Sequence, residues 1–234
     1  MQTRSLPLHG LLAVLLCGCG LISSDLTKLT FDLPNQTYSF DTAKWGNLPP
    51  PAVGATFPSI SCTSDAQCCN DGSLVGVSCS MTPLTCPAST CEAQIPESTY
   101  SPVNLAMQVG ALATFPGHSL VDVTIESITY TVSDNTLNVD LPPISIYLAP
   151  DGVTDPTDPS ATLFGTVPSI QAGTNPTGSV TKTANADAAF EMYTKNVSTT
   201  FNIIAGATVV IDAGTPVPNG HITVTVGGTV AAQL

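Results

Sequence analysis

Positive charge is what this chain has least of. Its 234 residues hold five lysines and arginines and three histidines against 17 acids, a formal net charge of −12. Nucleic acid is held first through clustered cations on its phosphates, so that class of partner is excluded. Charged residues of both signs make up only 9% of the chain, and 43% of it is hydrophobic, which argues against charge-driven disorder. Tryptophan occurs once, at Trp45, and is expected to cover an edge of the core. No apolar run approaches the roughly 20 residues that a helix needs to cross a bilayer. The signatures of common catalytic sites are missing too. There is no G-x-S-x-G elbow, no H-E-x-x-H and no pair of C-x2-C knuckles. The expectation is therefore a protein without a cofactor, without a zinc site and without enzymatic activity. A catalytic triad is defined by geometry, however, so His118 and His221 are the residues to locate. Each adjoins a glycine and reads as a surface histidine at a turn.

What is present begins at the N-terminus. Arg4 and the amino terminus precede the compact apolar stretch Leu11–Leu16, which, counted generously, reaches Ile22. A charged start, a short apolar core and small residues after it are the parts of a secretory signal. Leu16-Cys17-Gly18-Cys19 closes this stretch and resembles the lipobox of bacterial lipoproteins. The resemblance implies residues 1–18 as a signal peptide, cleavage after Gly18, and acylation of Cys19 with diacylglycerol and usually a third chain. Two or more acyl chains anchor stably where one does not. Loss of residues 1–18 would leave four lysines against 17 acids, a formal charge of −13. Anionic lipid would repel such a chain, so the lipid alone must hold it to the membrane. The implied location is the cell envelope, at the outer membrane, on its periplasmic or surface face.

The other six cysteines, Cys62, Cys68, Cys69, Cys79, Cys86 and Cys91, are confined to thirty residues. An even count in an exported chain predicts three disulfides among themselves, with 15 pairings open. Adjacent Cys68 and Cys69 are expected to take different partners. Cys62-Thr-Ser-Asp-Ala-Gln-Cys68 is similar to the opening of Dickkopf-like cysteine-rich modules, although the doubled Cys69 departs from that pattern.

Alternating polarity dominates the rest. Leu29, Phe31 and Leu33, then Tyr38 and Phe40, predict a hairpin over 26–41, part of the sandwich, turning at Pro34-Asn35-Gln36. Residues 42–61, with Pro49-Pro50-Pro51, read as a stiff spacer. From 103 to 234 the pattern is one β domain, beginning with a strand through Val103, Leu105, Met107 and Val109. Val123 and Ile125 face inward, and so do Ile128, Tyr130 and Val132. That change of parity predicts a bulge near Ser127. Leu137 to Leu141, Ile144 to Leu148, Leu163 to Ile170, residues 201–211 and Ile222 to Val230 supply further strands. A single helix is predicted over 185–196, capped by Asn185. The fold class that follows is all-β: an antiparallel sandwich of the immunoglobulin or fibronectin kind, with one short helix and a small disulfide-rich insertion at 62–91. Its core is expected to owe nothing to the cysteines.

Asp151, Asp155 and Asp158, in a proline-rich loop, are the calcium candidates, with a rigid exposed turn as the alternative. The expected role is a binding or structural module held to the membrane through its N-terminal lipid, with a protein or an envelope polymer as partner. A component of an envelope assembly or motility complex, or a hydrolase of envelope polymers, is the alternative.

Overall fold

The computed structural model describes residues 28–45, 55–70, 84–113 and 119–233. Cys17, Cys19, Cys79 and His118 lie outside them. The described chain forms an antiparallel β-sandwich. One sheet holds four strands in the order β1-β10-β4-β7: Lys28–Asp41, His221–Gln233, Val121–Ser133 and Thr177–Ser179. The other holds six in the order β2-β3-β9-β5-β6-β8: Leu84–Thr85, Glu92–Val103, Phe201–Ile211, Ile144–Pro150, Thr162–Val167 and Thr181–Lys182. The inward sets Phe31, Tyr38, Phe40, Ile125, Tyr130, Ile146, Phe201 and Val224 join one continuous buried cluster. Such burial supplies most of the favourable free energy, at about 1.5–3 kcal/mol for each large side chain.

The predicted hairpin at the N-terminus is a single strand. Both halves of β1 pair with β10, Phe31 with Val230 and Tyr38 with Val224, and the register shifts between Leu33 and Gln36. Pro34-Asn35 forms a bulge, which moves the inward set from odd to even positions. It also turns Gln36 inward, where the side chain is buried and accepts a hydrogen bond from Ser101 Oγ at 2.5 Å, tying β1 to β3. The bulge expected near Ser127 is there: Thr229 pairs with Ser127 and Val230 with Ile125.

Three further expectations are corrected. The strand placed over Val103 to Val109 is the end of β3 followed by a helical turn, α2 (Leu105–Gln108), capped by the Asn104 side chain. Met107 there is largely exposed. The strands of the sandwich that follow the cysteine segment begin at Glu92, before 103, because β3 pairs with β9 from Ala93 to Val103. Leu137 to Leu141 makes only an isolated bridge, Leu141 with Ile170. Trp45 is buried, as expected.

The predicted helix is α3 (Ala186–Thr194), but the Asn185 side chain does not cap it. Asp187 in its first turn accepts from the Ile125 amide at 2.9 Å and pairs with Lys182 Nζ at 2.9 Å, while Lys182 donates to the Ile125 carbonyl. Strand β7 reaches β4 only at Thr129–Thr131. These two side chains therefore satisfy the backbone of Ile125 where no neighbouring strand continues. Phe190 of α3 inserts between the sheets. It is fully buried, with ring centroids 6.3 Å from Phe164 and 6.1 Å from Phe201.

The free edges carry prolines. Beyond Ala93, β3 has a neighbour on one side only, and it contains Pro96 and Pro102. Edge strand β1 carries Pro34 at its bulge. A proline removes a donor from the ladder, so these edges are poor templates for another strand.

Candidate functional site

The two ends of the sandwich differ. Lys28 opens β1 opposite Gln233, which in turn lies opposite Val121. Asp41, where β1 closes, pairs with His221, and Ile211 pairs with Ala93. The 212–220 connection joins β9 to β10 at that second end. It carries the second end's extensions, since Phe57 donates to Thr215 and Thr56 bridges to Pro216.

The described cysteines gather at this second end. Cys62 is bonded to Cys86 and Cys68 to Cys91. Cys69 is disulfide-bonded as well. The Sγ atoms of Cys62, Cys68 and Cys91 lie within 4.8 Å of one another. Such a cluster has the spacing of a metal site, but these sulfurs are spent on disulfides. Short helix α1 (Asp65–Asn70) carries Cys68 and Cys69, and Asp65 accepts from the Cys86 amide at 2.8 Å. Cys91 directly precedes β3, and Cys62, Cys68 and Cys91 belong to the same buried cluster as both sheets. The cysteine segment is thus built into the end of the sandwich.

His221 is exposed, with Nδ1 3.1 Å from the Thr136 hydroxyl, and no acid hydrogen-bonds to the pair among the described residues. The calcium candidates Asp151, Asp155 and Asp158 do not bring their carboxylate oxygens within 4.8 Å of one another. Asp155 accepts from the Thr157 amide and hydroxyl, at 2.8 and 2.7 Å, and Asp158 accepts from the same groups of Ser160. Those bonds to Thr157, backbone first, and to Ser160, hydroxyl first, hold both carboxyls below their ordinary values. Each carboxylate closes its own turn.

What this loop does instead is roof a groove. Asn202 donates through Nδ2 to the Val153 carbonyl at 2.9 Å, and Pro156 rests on Gly206. A Cβ at Gly206 would stand 3.3 Å from the Pro156 ring, so glycine there allows the close seating. Ser98, Gly206 and Ser145 stand in one row across β3, β9 and β5. On a pleated sheet the two serines are roughly 10 Å apart, with the glycine and the Pro156 ring seated on it between them. Beside this row lies a groove of about 590 Å³, bounded by Pro96–Ser98, Gly206–Thr208, Pro143, Ser145, Tyr147 and the loop 154–157. That volume is within the range of small-ligand sites. It lies on the face of the six-stranded sheet that points away from the core, and the one carboxylate of its loop, Asp155, is committed to Thr157. Sequence reasoning found the loop but not the groove. No spacing along the chain relates residues 98, 145 and 206; only strand order does.

Glu97 borders this groove through its main chain, and its side chain lies on the opposite, core-facing side of the sheet. It has the parity of Ile95, is half-buried, and has no hydrogen bond or ion pair among the described residues. Burial pushes its carboxyl up to about 7. The folded chain therefore keeps a proton that the unfolded chain loses above about 4.3. The resulting stabilisation is present below that value and lost as pH rises through 7. Glu97→Gln should leave the melting temperature unchanged at pH 4 and raise it at pH 8.5. The gain should be about 1–2 kcal/mol, once screening at a half-exposed site is discounted. Thermal melts at both pH values check this, and an equal shift at both would show that the charge is not the cause.

The chain matches no family model and no curated protein. Among solved structures it is similar to a chain of turnip yellow mosaic virus, at 11% identity and a TM-score of 0.28, covering 99% of this chain and 90% of that one. The empty head of the same virus is similar at 12% identity and 0.26, with the same coverage. A further structure of the virus is similar at 15% identity and 0.26, covering 61% of this chain and 92% of the other. Likeness at this level carries no argument for fold or function.

Proposed function

We propose that the chain is a lipid-anchored envelope protein acting as a binding module. The acyl chains on Cys19 hold one end to the outer membrane, and the disulfide-bridged end points away from it. The observation that carries this reading is the course of β1. Nine residues after Cys19 the chain enters β1 at Lys28 and runs 14 residues without reversing. At about 3.3 Å per residue, that is roughly 45 Å of extended chain between the membrane side and the end that bears the cysteines. An anchor at one end and a braced surface at the other suit presentation to a partner. The proline-bearing edges disfavour assembly by strand addition, so the face and the far end are the surfaces left for recognition.

Cys19→Ser tests the anchor. The variant should incorporate no labelled palmitate and should leave the detergent phase on phase separation, while the unaltered protein stays in it. Normal labelling of the variant would remove Cys19 as the acceptor and the proposed orientation with it.

A further inference from the structure

The groove beside Gly206 has a lining that selects among ligands. Ser98, Ser145, Tyr147, Thr154 and Thr208 bring hydroxyl groups to it, and none of these hydroxyls makes a hydrogen bond within the described residues. Each can donate and accept at once. Pro96, Pro143 and Pro156 add flat apolar surfaces, and the Tyr147 ring adds another. Among the described residues no lysine, arginine or histidine lines the groove, in a chain whose formal charge is already −12. An anionic ligand would meet like charge and find no counterion.

The floor is prebuilt. Two tethers hold the roof loop, Asn202 to Val153 and Pro156 on Gly206, and the Asp155 and Asp158 turns stiffen what lies between and beyond them. A ligand therefore has little ordering of the protein to drive, which favours binding through many modest hydrogen bonds. A ligand that matches this set carries hydroxyls on its rim, C–H faces on its rings and no net charge.

We infer that this groove binds a short stretch of a neutral glycan. The sugar hydroxyls would exchange hydrogen bonds with the serine and threonine hydroxyls, and the C–H face of one ring would lie against Tyr147. The inference rests on reading the chain as a binding module and does not depend on the lipid.

The test uses the full-length chain in detergent micelles, with the trisaccharides of the chitin, cellulose, starch and mannan series as probes. Trigalacturonate serves as the charged counterpart and a proline-rich peptide as the competing class. Calorimetric titration should find at least one neutral trisaccharide bound with a millimolar or lower Kd. Ser145→Trp and Thr208→Trp place bulk in the groove from the face remote from the core. Each should weaken binding at least tenfold with the melting temperature unchanged. Cys19→Ser should bind the sugar as the unaltered chain does, so loss of the anchor and loss of the groove are separate results. Absence of binding by all four neutral probes would overturn the inference. Tighter binding of trigalacturonate or of the peptide would overturn it too, and so would sugar binding that survives both tryptophans.

Discussion

Phe190→Ala should lower the stability of the whole sandwich by about 3–5 kcal/mol, the range for deleting a large buried aromatic. Phe190 is fully exposed to neighbours and not at all to water: its ring meets Phe164 of β6 and Phe201 of β9, and Tyr193 stacks on Phe201 at 5.1 Å. Removing it leaves a cavity between a helix and two strands that are themselves held by backbone ladders, so the surroundings cannot close over the gap. Loss of the aromatic contacts adds about 0.5–1.5 kcal/mol per pair to the area term. For a chain of this size each kcal/mol moves the melting temperature by about 2–4 °C. A fall of about 6–20 °C in a thermal melt is the expected result. Phe190→Leu should recover most of it, and a fall of only a degree or two in the alanine variant would show that α3 does not close the core.

The second large effect is expected from Cys68→Ser. The bridge to Cys91 closes a loop of sequence separation 23. On the chain-entropy account, closing a loop of that length contributes about 3–4 kcal/mol. Serine would also place a hydroxyl where the sulfur is fully buried. Since Cys91 leads straight into β3, and β3 pairs with β9 along eleven positions, the loss is transmitted to the six-stranded sheet. One transition at lower temperature should replace the original one, by calorimetry and by far-ultraviolet circular dichroism together. This reverses the expectation that the sandwich core owes nothing to the cysteines. Two separate transitions, with the β signal surviving the first, would restore it.

The difference between those expectations lies in what a proline conceals. Pro96 and Pro102 break the reading of residues 92–103 as a strand, yet both are tolerated because β3 is an edge beyond Ala93. With β3 missing, the cysteine segment looked detached from the domain. The parity rule was sound where it was applied. At Ser127 a change of inward parity predicted a bulge, and the register of β4 and β10 contains it. The same change occurs between Leu33 and Gln36, but Pro34-Asn35 also has the composition of a turn, and local chemistry outweighed the periodicity. Leu105, Met107 and Val109 failed for the opposite reason. Three apolar residues at alternate positions are too few to separate a strand from one helical turn, and the Asn104 side chain decides it by capping. The all-β class survived these errors because β4, β5, β9 and β10 carry long unambiguous alternations. The groove was out of reach, since its three central residues are joined by pairings that link positions 98, 145 and 206 across the sheet.

The prolines of β1 and β3 have one more consequence. Under the proposed lipid anchor, copies of the chain would share a plane and meet side by side far more often than the same number would in solution. Lateral encounter brings edge to edge, the orientation in which a bare strand would recruit its neighbour and begin a ribbon of copies. Pro34, Pro96 and Pro102 interrupt that pairing on the two long edges, while the remaining outer strands, β2, β7 and β8, span only two or three residues each. Such edges would let copies held by the proposed anchor pack densely on a surface and still move there as separate molecules.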